Sequence, residues 1–316
     1  MILIITDNLD SHVDIVVKKL TLASFRLNLD VDSLLDTKIS FENDDWYITQ
    51  NNNSVKASKI TCVWARCSSV KINLDHQNNI SNGFRLWRSE WNRTLFGLFN
   101  YLDRAKWLNS IRHATLADNK YYQMRVANSH NLRFPKLITS NNKETLINFI
   151  KNQNDTVVKF MSQDMYTSEK GNLLGLYVNK VYESDFLHFQ EKEENPITLQ
   201  EYINKKYEVR YTVVGNQHLA CKIDSQMSQR ANIDWRRYDL KNTPHYAIDI
   251  PSEIVSKVSS LMKELNLNFG ALDFIVDESD NWWFLEVNSS GQWLWIEDLS
   301  GLKISDAIAH WLTENV

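Results

Sequence analysis

The residues best suited to chemistry lie near the C-terminus, in the segment GALDFIVDESDNWWFLEVNSSG at positions 270–291. Two apolar stretches flank the turn sequence DESDN, and a turn centred just after Ser279 would place Asp273 directly opposite Glu286. Asn288 lies two residues beyond Glu286 and therefore shares its face of the predicted hairpin. Carboxylate and amide oxygens are ligands for hard cations such as Mg²⁺. The segment predicts a metal-binding hairpin, and a solvated strand face is the alternative.

The positions that alternate with these polar residues are apolar, so the predicted hairpin has one side that faces a core. They are Leu272, Phe274, Leu285 and Val287. The polar residues then project from the other side, where exposed charge would also be ordinary.

A second polar pattern lies upstream, in TLQEYINKKYEVRYTVVG at positions 198–215. The extended stretch 200–203 can present backbone groups to the edge of an adenine base. Glu208 and Arg210 lie two residues apart, on one face of the following strand. A carboxylate suits ribose hydroxyls, and a guanidinium suits a phosphate or an anionic intermediate. A ladder of cross-strand salt bridges is the alternative.

Two lysines form a third signal. Lys120 follows ADN on a helix predicted over 114–126, and Lys159 ends the predicted strand TVVK. An unpaired ammonium is costly to bury, so a lysine at the end of a buried strand is unusual. Neutralisation of phosphate would explain it, and a snorkelling side chain at a strand end is the alternative.

The elements around these residues predict a mixed architecture. Strand and helix patterns alternate over the first hundred residues, which indicates a small parallel α/β unit. The stretch from Phe84 to Leu102 has apolar residues at helical spacing, and we expect its aromatic face to pack in a core instead of forming a ligand surface. Long alternating strands follow at 208–214 and 218–223, and a helix at 252–265 precedes the predicted hairpin.

Composition excludes several classes. The chain has 316 residues and a formal net charge of −4, so duplex nucleic acid is not expected as a ligand. Its three cysteines form no CxxC pair and cannot all be paired, which favours a reducing cytoplasm. The opening MILIITDNLD is expected to be a strand instead of a signal peptide, and no apolar run approaches 18 residues, so no membrane span is expected. The motifs GxxxxGK[ST], GxSxG and GxGxxG are absent.

The order of the chemical elements resembles the ATP-grasp superfamily. The chain contains these features in this order: Lys120 on a helix, Lys159 on a strand, the sequence Gln-Glu-Tyr-Ile at 200–203, Glu208 seven residues after Glu201, and a late Asp…Glu-x-Asn. Within the superfamily the chain looks most like the ribosomal-peptide maturases of the microviridin ligase (graspetide) group. The resemblance covers nearly the whole chain and rests also on FRLN at 25–28, VWAR at 63–66, LFGLFNYLD at 95–103, WLNS at 107–110, DNK at 118–120, SQ at 225–226 and DWRRYD at 234–239.

The resemblance implies an α/β (α+β) ATP-grasp fold. The expected domains are a small N-terminal parallel α/β domain at 1–113, a central domain at 114–198 and a C-terminal antiparallel-sheet domain at 199–316. ATP would lie between the last two. A homodimer is expected from the family.

The resemblance also implies the roles of individual residues. The implied nucleotide contacts are Lys120 and Lys159 for the phosphates, Gln200, Glu201, Tyr202 and Ile203 for adenine, and Glu208 for ribose. Asp273, Glu286 and Asn288 would bind two Mg²⁺ ions, for which Mn²⁺ can substitute. Arg210 would be the catalytic residue, steadying an acyl-phosphate and its tetrahedral successor.

The implied reaction is a ligation within a ribosomally made precursor peptide that has a leader and a core. Asp or Glu carboxylates are activated by ATP and captured by Thr or Ser hydroxyls or by Lys amines. A ligase that adds a free amino acid or amine to a peptide or small carboxylate is the second enzymatic hypothesis, and a nucleotide-binding scaffold is the non-enzymatic one. Arg210 beside a complete metal set argues against the scaffold.

Two segments are predicted to hold the peptide. The segment 172–195 can form a hairpin edge for the leader, with Glu191, Glu193 and Glu194 pairing with a basic residue. In the second segment Asp234, Arg236 and Arg237 would face the core peptide. A solvated acidic loop is the alternative for the first segment.

The sequence departs from the D-alanine ligase type of relative at one position. Many of those proteins carry an arginine two residues before the metal aspartate, where this chain has Ala271. Arg210, Arg236 or Arg237 is therefore expected to supply the charge that stabilises the anion.

Overall fold

The computed structural model describes residues 1–71, 81–161, 166–167, 173–174, 178–190, 194–228 and 242–316. The described part of the chain contains parallel and antiparallel sheets covered by helices. No helix within these residues is both long enough and apolar enough to cross a membrane.

The N-terminal part is a parallel four-stranded sheet with the order β2-β1-β6-β7, accompanied by an antiparallel three-stranded sheet, β3-β4-β5. All five residues of β1 are buried, as its continuous apolar run predicts. The elements are β1 Ile2–Thr6, α1 Ser11–Val17, β2 Ser24–Asn28, α2 Val31–Leu35, β3 Lys38–Glu42, β4 Asp45–Gln50, β5 Asn53–Lys56, β6 Cys62–Ala65, α3 Asn82–Tyr101 and β7 Lys106–Trp107.

Helix α3 has the core face that its periodicity predicts. Leu95, Leu98 and Phe99 are buried in the N-terminal core, and the more exposed Trp87 and Trp91 pack against that core. The helix begins after Ser81, whose hydroxyl accepts the backbone N–H of the residue three positions later.

The central part carries an antiparallel sheet with the order β12-β9-β13-β8. Its elements are α4 Ile111–Ala117, α5 Lys120–Ser129, β8 Leu137–Ser140, α6 Lys143–Lys151, β9 Thr156–Lys159, β10 Tyr166–Thr167, β11 Leu173–Leu174, β12 Asn179–Val181 and β13 Ile197–Glu201. The prediction of a single helix over 114–126 is wrong, because residues 118 and 119 are not helical and separate α4 from α5. Asn119 caps α5, its side chain accepting the Tyr122 N–H, so Lys120 becomes the first residue of the new helix.

The C-terminal part is a five-stranded antiparallel sheet with the order β16-β15-β14-β17-β18. Helices α5 and α7 pack on one side of it, with Val126 and Leu261 in the shared core. Its elements are β14 Lys205–Val214, β15 Gln217–Ile223, β16 His245–Ile248, α7 Ser252–Glu264, β17 Phe269–Asp277, β18 Trp282–Asn288, α8 Leu294–Ser300 and α9 Ile304–Glu314. The predicted fold class is confirmed, and the domain boundaries stay a prediction.

A further apolar core contains residues from both the N-terminal and the C-terminal parts of the chain. Val13 of α1, Ile308 of α9 and the fully buried Trp293 belong to one apolar cluster. The N-terminal sheet is therefore packed against the segment that follows β18, which is the segment beside the predicted metal ligands.

Candidate active site

The β17–β18 hairpin places the predicted metal ligands together. Asp273 pairs directly with Glu286, and Ala271 pairs with Asn288. The turn, however, is centred on Ser279, since Val276 pairs with Trp282 nearer the turn. That register alone would misalign Asp273 and Glu286 by one residue, so the predicted pairing is correct but its stated reason is wrong.

A β-bulge restores the pairing. The register shifts between the pair Phe274–Phe284 and the pair Asp273–Glu286, which leaves Leu285 as an extra residue on β18. Leu285 and Glu286 both line the cleft beside the sheet, whereas Phe284 is fully buried in the core. The assignment of Leu285 to the core-facing side is therefore wrong, because strict alternation does not hold across a bulge.

Asp277 explains where the turn lies. Its Oδ1 accepts the backbone N–H groups of Ser279 and Asn281, each at 2.9 Å. Its Oδ2 accepts the Trp283 indole N–H at 2.8 Å. These local hydrogen bonds favour a turn over 277–281 and so determine the register from which the bulge departs.

Lys120 and Lys159 converge on one carboxylate oxygen. The Glu286 Oε2 lies 3.1 Å from Lys120 Nζ and 3.5 Å from Lys159 Nζ. The three side chains are only 8 to 13% exposed. Lys159 also donates to the Leu285 carbonyl at 3.2 Å, so the bulge helps to position this lysine.

Gln123 fixes helix α5 to strand β18. Its side chain donates to the carbonyls of Ala117 and Val287 at 2.7 and 2.8 Å and accepts the Val287 N–H at 2.9 Å. Gln123 is 2% exposed and lies one turn after Lys120. It therefore holds Lys120 over Glu286, a role that the sequence analysis missed. A glutamine on the buried face of a helix was the available signal.

Arg210 forms a buried ion pair with Asp273. The two residues are opposite one another on β14 and β17, and Arg210 Nη1 donates to Asp273 Oδ1 at 2.9 Å. Its Nη2 donates to the Gln292 carbonyl at 3.0 Å. The buried Nε has no hydrogen-bond partner among the described residues. Charge-assisted bonds of this kind hold the guanidinium in one orientation.

Gly291 makes room for that guanidinium. A Cβ at this position would lie 2.9 Å from Arg210 Nη2 and 2.6 Å from the Ala271 Cβ. Any side chain would therefore displace the arginine or the strand. The small residue Ala271, noted in the sequence as a departure, permits the same close approach. Gly291 was missed because nothing in its local sequence indicates a distant arginine.

With the exception of Lys120, the predicted nucleotide residues line one cleft between the central and C-terminal sheets. Its lining consists of Pro135, Val157, Lys159, Val178, Gln200, Glu201, Tyr202, Ile203, Lys205, Glu208, Asp273, Ile275, Leu285 and Glu286. The aliphatic residues among them suit the faces of a planar base, and the backbone of 200–203 lies beside them.

Lys205 is a further cation of this cleft that the sequence analysis missed. Its Nζ lies 2.7 Å from Glu208 Oε1, and both side chains are buried. The cations at and beside the cleft are therefore ion-paired: Lys120 and Lys159 with Glu286, Lys205 with Glu208, and Arg210 with Asp273. Glu201 is a further carboxylate of the cleft lining.

The donor set fits a hard cation. Asp273, Glu286 and Asn288 supply two carboxylates and one amide, and Asn288 Nδ2 donates to the Ala271 carbonyl at 3.4 Å. Within the described residues, no three His, Cys, Asp or Glu side chains form a metal cluster by themselves. Mg²⁺ commonly binds through one or two carboxylates and completes its shell with phosphates and water. The composition of this site therefore matches that mode.

Of the predicted peptide contacts, Glu194 alone lies among the described residues. Asp234, Arg236, Arg237, Glu191 and Glu193 lie outside the described residues. Glu194 is half-buried three residues before β13 and does not line the cleft.

Comparison with known proteins identifies the class. Residues 117–312 match the RimK-like ATP-grasp domain family, which is more than half of the chain. The chain therefore belongs to the RimK-like ATP-grasp family. No curated protein matches it.

Three solved structures similar to this chain are a ligase associated with ribosomal peptides and two macrocyclases. An ATP-grasp ligase associated with ribosomal peptides (RiPP) from Chryseobacterium gregarium, in complex with ADP and a leader and core peptide, is 26% identical, with a TM-score of 0.89 over 100% of this chain and 97% of that one. The macrocyclase MdnC from Microcystis aeruginosa MRC, bound with precursor peptide MdnA, is 26% identical, with a TM-score of 0.86 over 99% of both chains. The macrocyclase MdnB from the same strain is 25% identical, with a TM-score of 0.78 over 98% of both. The predictions of an ATP-grasp fold and of an ATP-dependent ligase are confirmed.

Proposed function

We propose that this ligase joins side chains within a ribosomally made precursor peptide. It activates Asp or Glu carboxylates as acyl-phosphates and transfers them to Thr or Ser hydroxyls or to Lys amines, which closes a lactone or lactam ring. The observation that carries the proposal is full-length similarity to proteins solved with leader, core or precursor peptides. It is combined with a cleft that is lined by Lys159, residues 200–203, Glu208, Asp273 and Glu286.

ATP binds in the cleft between the central and C-terminal sheets. Adenine lies against residues 200–203, Glu208 binds the ribose, and Lys120 and Lys159 bind the phosphates. Both lysines share Glu286 Oε2, and a phosphate would add an anionic partner for each ammonium.

Two Mg²⁺ ions are held by Asp273, Glu286 and Asn288, and Mn²⁺ can replace them. Bound metal supplies Lewis-acid polarisation of the phosphoryl oxygens. Removal of divalent ions with EDTA should stop ligation, and added MgCl₂ or MnCl₂ should restore it. Activity that persists in EDTA would contradict the metal assignment.

The chemistry requires two displacements. A peptide carboxylate oxygen attacks the γ-phosphorus of ATP, so that the acyl-phosphate forms and ADP leaves. The hydroxyl or amine then attacks the acyl carbon, its proton passes to solvent, and inorganic phosphate leaves. Arg210 is held by Asp273 and the Gln292 carbonyl, and its charge stabilises the oxyanion of the second step.

The peptide partner and assembly complete the proposal. The leader binds along the segment 172–195, with Glu191, Glu193 and Glu194 as charged contacts, and the core lies near Asp234, Arg236 and Arg237. The enzyme works as a homodimer in the cytoplasm. Calorimetric titration of a leader peptide into a variant with the three glutamates reversed tests the first point, and light scattering tests the dimer. Unchanged leader affinity, or a monomer at working concentration, would contradict these parts.

The central experiment uses the gene neighbourhood. A short neighbouring reading frame with repeated Thr and Asp or Glu would be co-expressed with the ligase, and the product analysed by mass spectrometry. We expect the peptide to lose one water mass per bond, and Glu286→Gln co-expressed with the same peptide to leave it unmodified. A peptide that gains the mass of an amino acid would support ligation of a free amine instead.

A further inference from the structure

A second cavity, of about 420 Å³, lies between the end of β6, helix α3, helix α4 and the loop after β18. Its size falls within the range of ligand pockets. Glu286 lines the nucleotide cleft, and Ser289, three residues further along, lines this second cavity. The end of β18 therefore borders both, and the predicted ligand Asn288 lies between them in the chain.

Arg88 of α3 gives this cavity its chemical character. It lines the cavity and is half-buried, and its Nε is buried without a hydrogen-bond partner among the described residues. The described part of the chain also gives its guanidinium no ion pair. Buried polar groups are normally hydrogen-bonded, and a planar guanidinium matches a carboxylate.

The other charges of the cavity leave a positive surplus. Lys71 lines it and is exposed, whereas Arg66 is already paired with Asp10 at 2.8 Å and donates to the Ser290 carbonyl at 3.3 Å. Asp118 is the one acidic side chain of its described lining, and it accepts the Ser289 hydroxyl at 2.8 Å. Two cations thus face one carboxylate in a chain whose net charge is −4.

We propose that this cavity binds the side-chain carboxylate of an Asp or Glu in the core peptide, with Arg88 as its anchor. The inference rests on the proposed function, because it assigns the acidic substrate group to a place beside the nucleotide cleft. Arg88 binds the carboxylate in the ground state and in the transition state alike. Its loss therefore raises KM and leaves kcat nearly unchanged, in contrast to the loss of Arg210.

The test compares a core peptide of the co-expressed precursor with the same peptide carrying Gln and Asn for Glu and Asp. Binding of each fluorescently labelled peptide is measured in the presence of ADP and MgCl₂. We expect wild type to prefer the acidic peptide by roughly 10-fold or more and Arg88→Met to lose that preference. Arg88→Lys should recover part of it. Arg93→Met, an exposed change on the same helix, should keep it.

A second pair of variants does not depend on removing Arg88. Thr115 is exposed and lines the cavity, so Thr115→Glu adds a carboxylate there without disturbing a core. We expect Thr115→Glu to weaken binding of the acidic peptide several-fold and Thr115→Gln to leave it unchanged. Unchanged ADP affinity and melting temperature in each variant would show that the nucleotide cleft and fold are intact.

The outcomes separate this inference from the proposed function. If wild type neither modifies nor binds the precursor, the proposed function is overturned. If wild type modifies the precursor but Arg88→Met and Thr115→Glu retain its KM and its preference for the acidic peptide, only the carboxylate site is overturned.

Discussion

Two groups of buried charged side chains in this protein are built differently. In the nucleotide cleft, Lys120 and Lys159 share one oxygen of Glu286 at 3.1 and 3.5 Å. In the N-terminal part, both oxygens of the Asp10 carboxylate accept hydrogen bonds. Oδ2 accepts from Thr6 and Arg66, each at 2.8 Å, while Oδ1 accepts the backbone N–H of the residue two positions later at 3.1 Å.

The difference distinguishes charges that hold structure from charges that are proposed to bind a ligand. Burial raises the pKa of Asp10, but the hydrogen bond with His12 and the charge of Arg66 together outweigh it, so the pKa lies well below its usual range. Such a group is already satisfied. At Glu286, by contrast, two ammonium groups face one carboxylate oxygen, an arrangement that suits the binding of a phosphate.

The group around Asp10 also helps to position Arg210 near the nucleotide cleft. Arg66 donates to the Ser290 carbonyl at 3.3 Å, and the Trp293 N–H donates to His12 Nε2 at 3.4 Å. Between these two points, the Gln292 carbonyl accepts from Arg210. The Asp10 group therefore holds the backbone that orients the proposed catalytic arginine.

The largest expected effect is the loss of ligation when a residue of the group around Glu286 is changed. Glu286→Gln should abolish ligation with little loss of stability, because the amide keeps the shape but lacks the charge that metal and lysines need. Asn288→Ala should behave alike. Product formation by mass spectrometry and melting by circular dichroism measure the two quantities, with Glu278→Gln in the exposed turn as the control. Full turnover in either site variant would refute the metal assignment.

The second effect is expected on kcat. Arg210→Ala should lower kcat by roughly 10²-fold or more, with a modest change in the KM for ATP, because the guanidinium acts mainly on charge that develops during the reaction. Steady-state kinetics with ATP and with peptide varied in turn would measure this. A variant that loses only ATP affinity would instead assign Arg210 to the nucleotide pocket.

The third effect is expected on stability. Asp10→Asn should lower the free energy of unfolding by roughly 3 to 5 kcal/mol, because it leaves Arg66 buried without its counter-charge. Urea denaturation at pH 7 measures this change. Asp14→Asn, an exposed change on α1, is the control. Wild-type stability in Asp10→Asn would show that this group does not hold the loop.

The smallest expected effect is the pH dependence of the stability difference between wild type and Asp10→Asn. Because the folded pKa of Asp10 lies below its ordinary value of about 3.8, its contribution to stability is present above about pH 3.8 and declines as the pH falls below it. The stability difference between wild type and Asp10→Asn should therefore be full at pH 7 and smaller at pH 3. A difference that grows toward acid would mean that Asp10 is not the group responsible.

Much of the cleft could be predicted from local patterns. The hairpin that brings Asp273 and Glu286 together follows from two apolar strands around one turn, although a bulge sets their exact pairing. The burial of Lys159 follows from its place at the end of an apolar strand. The positions of 200–203 and Glu208 came through the resemblance in element order, and the structure places all of them along one cleft.

Other parts were beyond local patterns. A bulge at Leu285 cannot be read from alternation, because it breaks the period on which the argument depends. The end of one helix and the start of another at Asn119 competed with a continuous helical pattern. Gln123 and Gly291 owe their roles to partners far away in the chain, on β18 and β14.

The sequence by itself determined that long apolar strands flank one turn near the C-terminus and which residue types can bind metal or phosphate, since these depend on neighbours within a few positions. Only the tertiary structure decided that Lys120 from a helix and Lys159 from another sheet meet on Glu286, and that Arg88 faces a cavity beside the same strand. Those meetings depend on how sheets and helices pack across a long chain separation, as between Gln123 and Val287, 164 residues apart. Side-chain periodicity gives no information about contacts between residues that are so far apart in the chain.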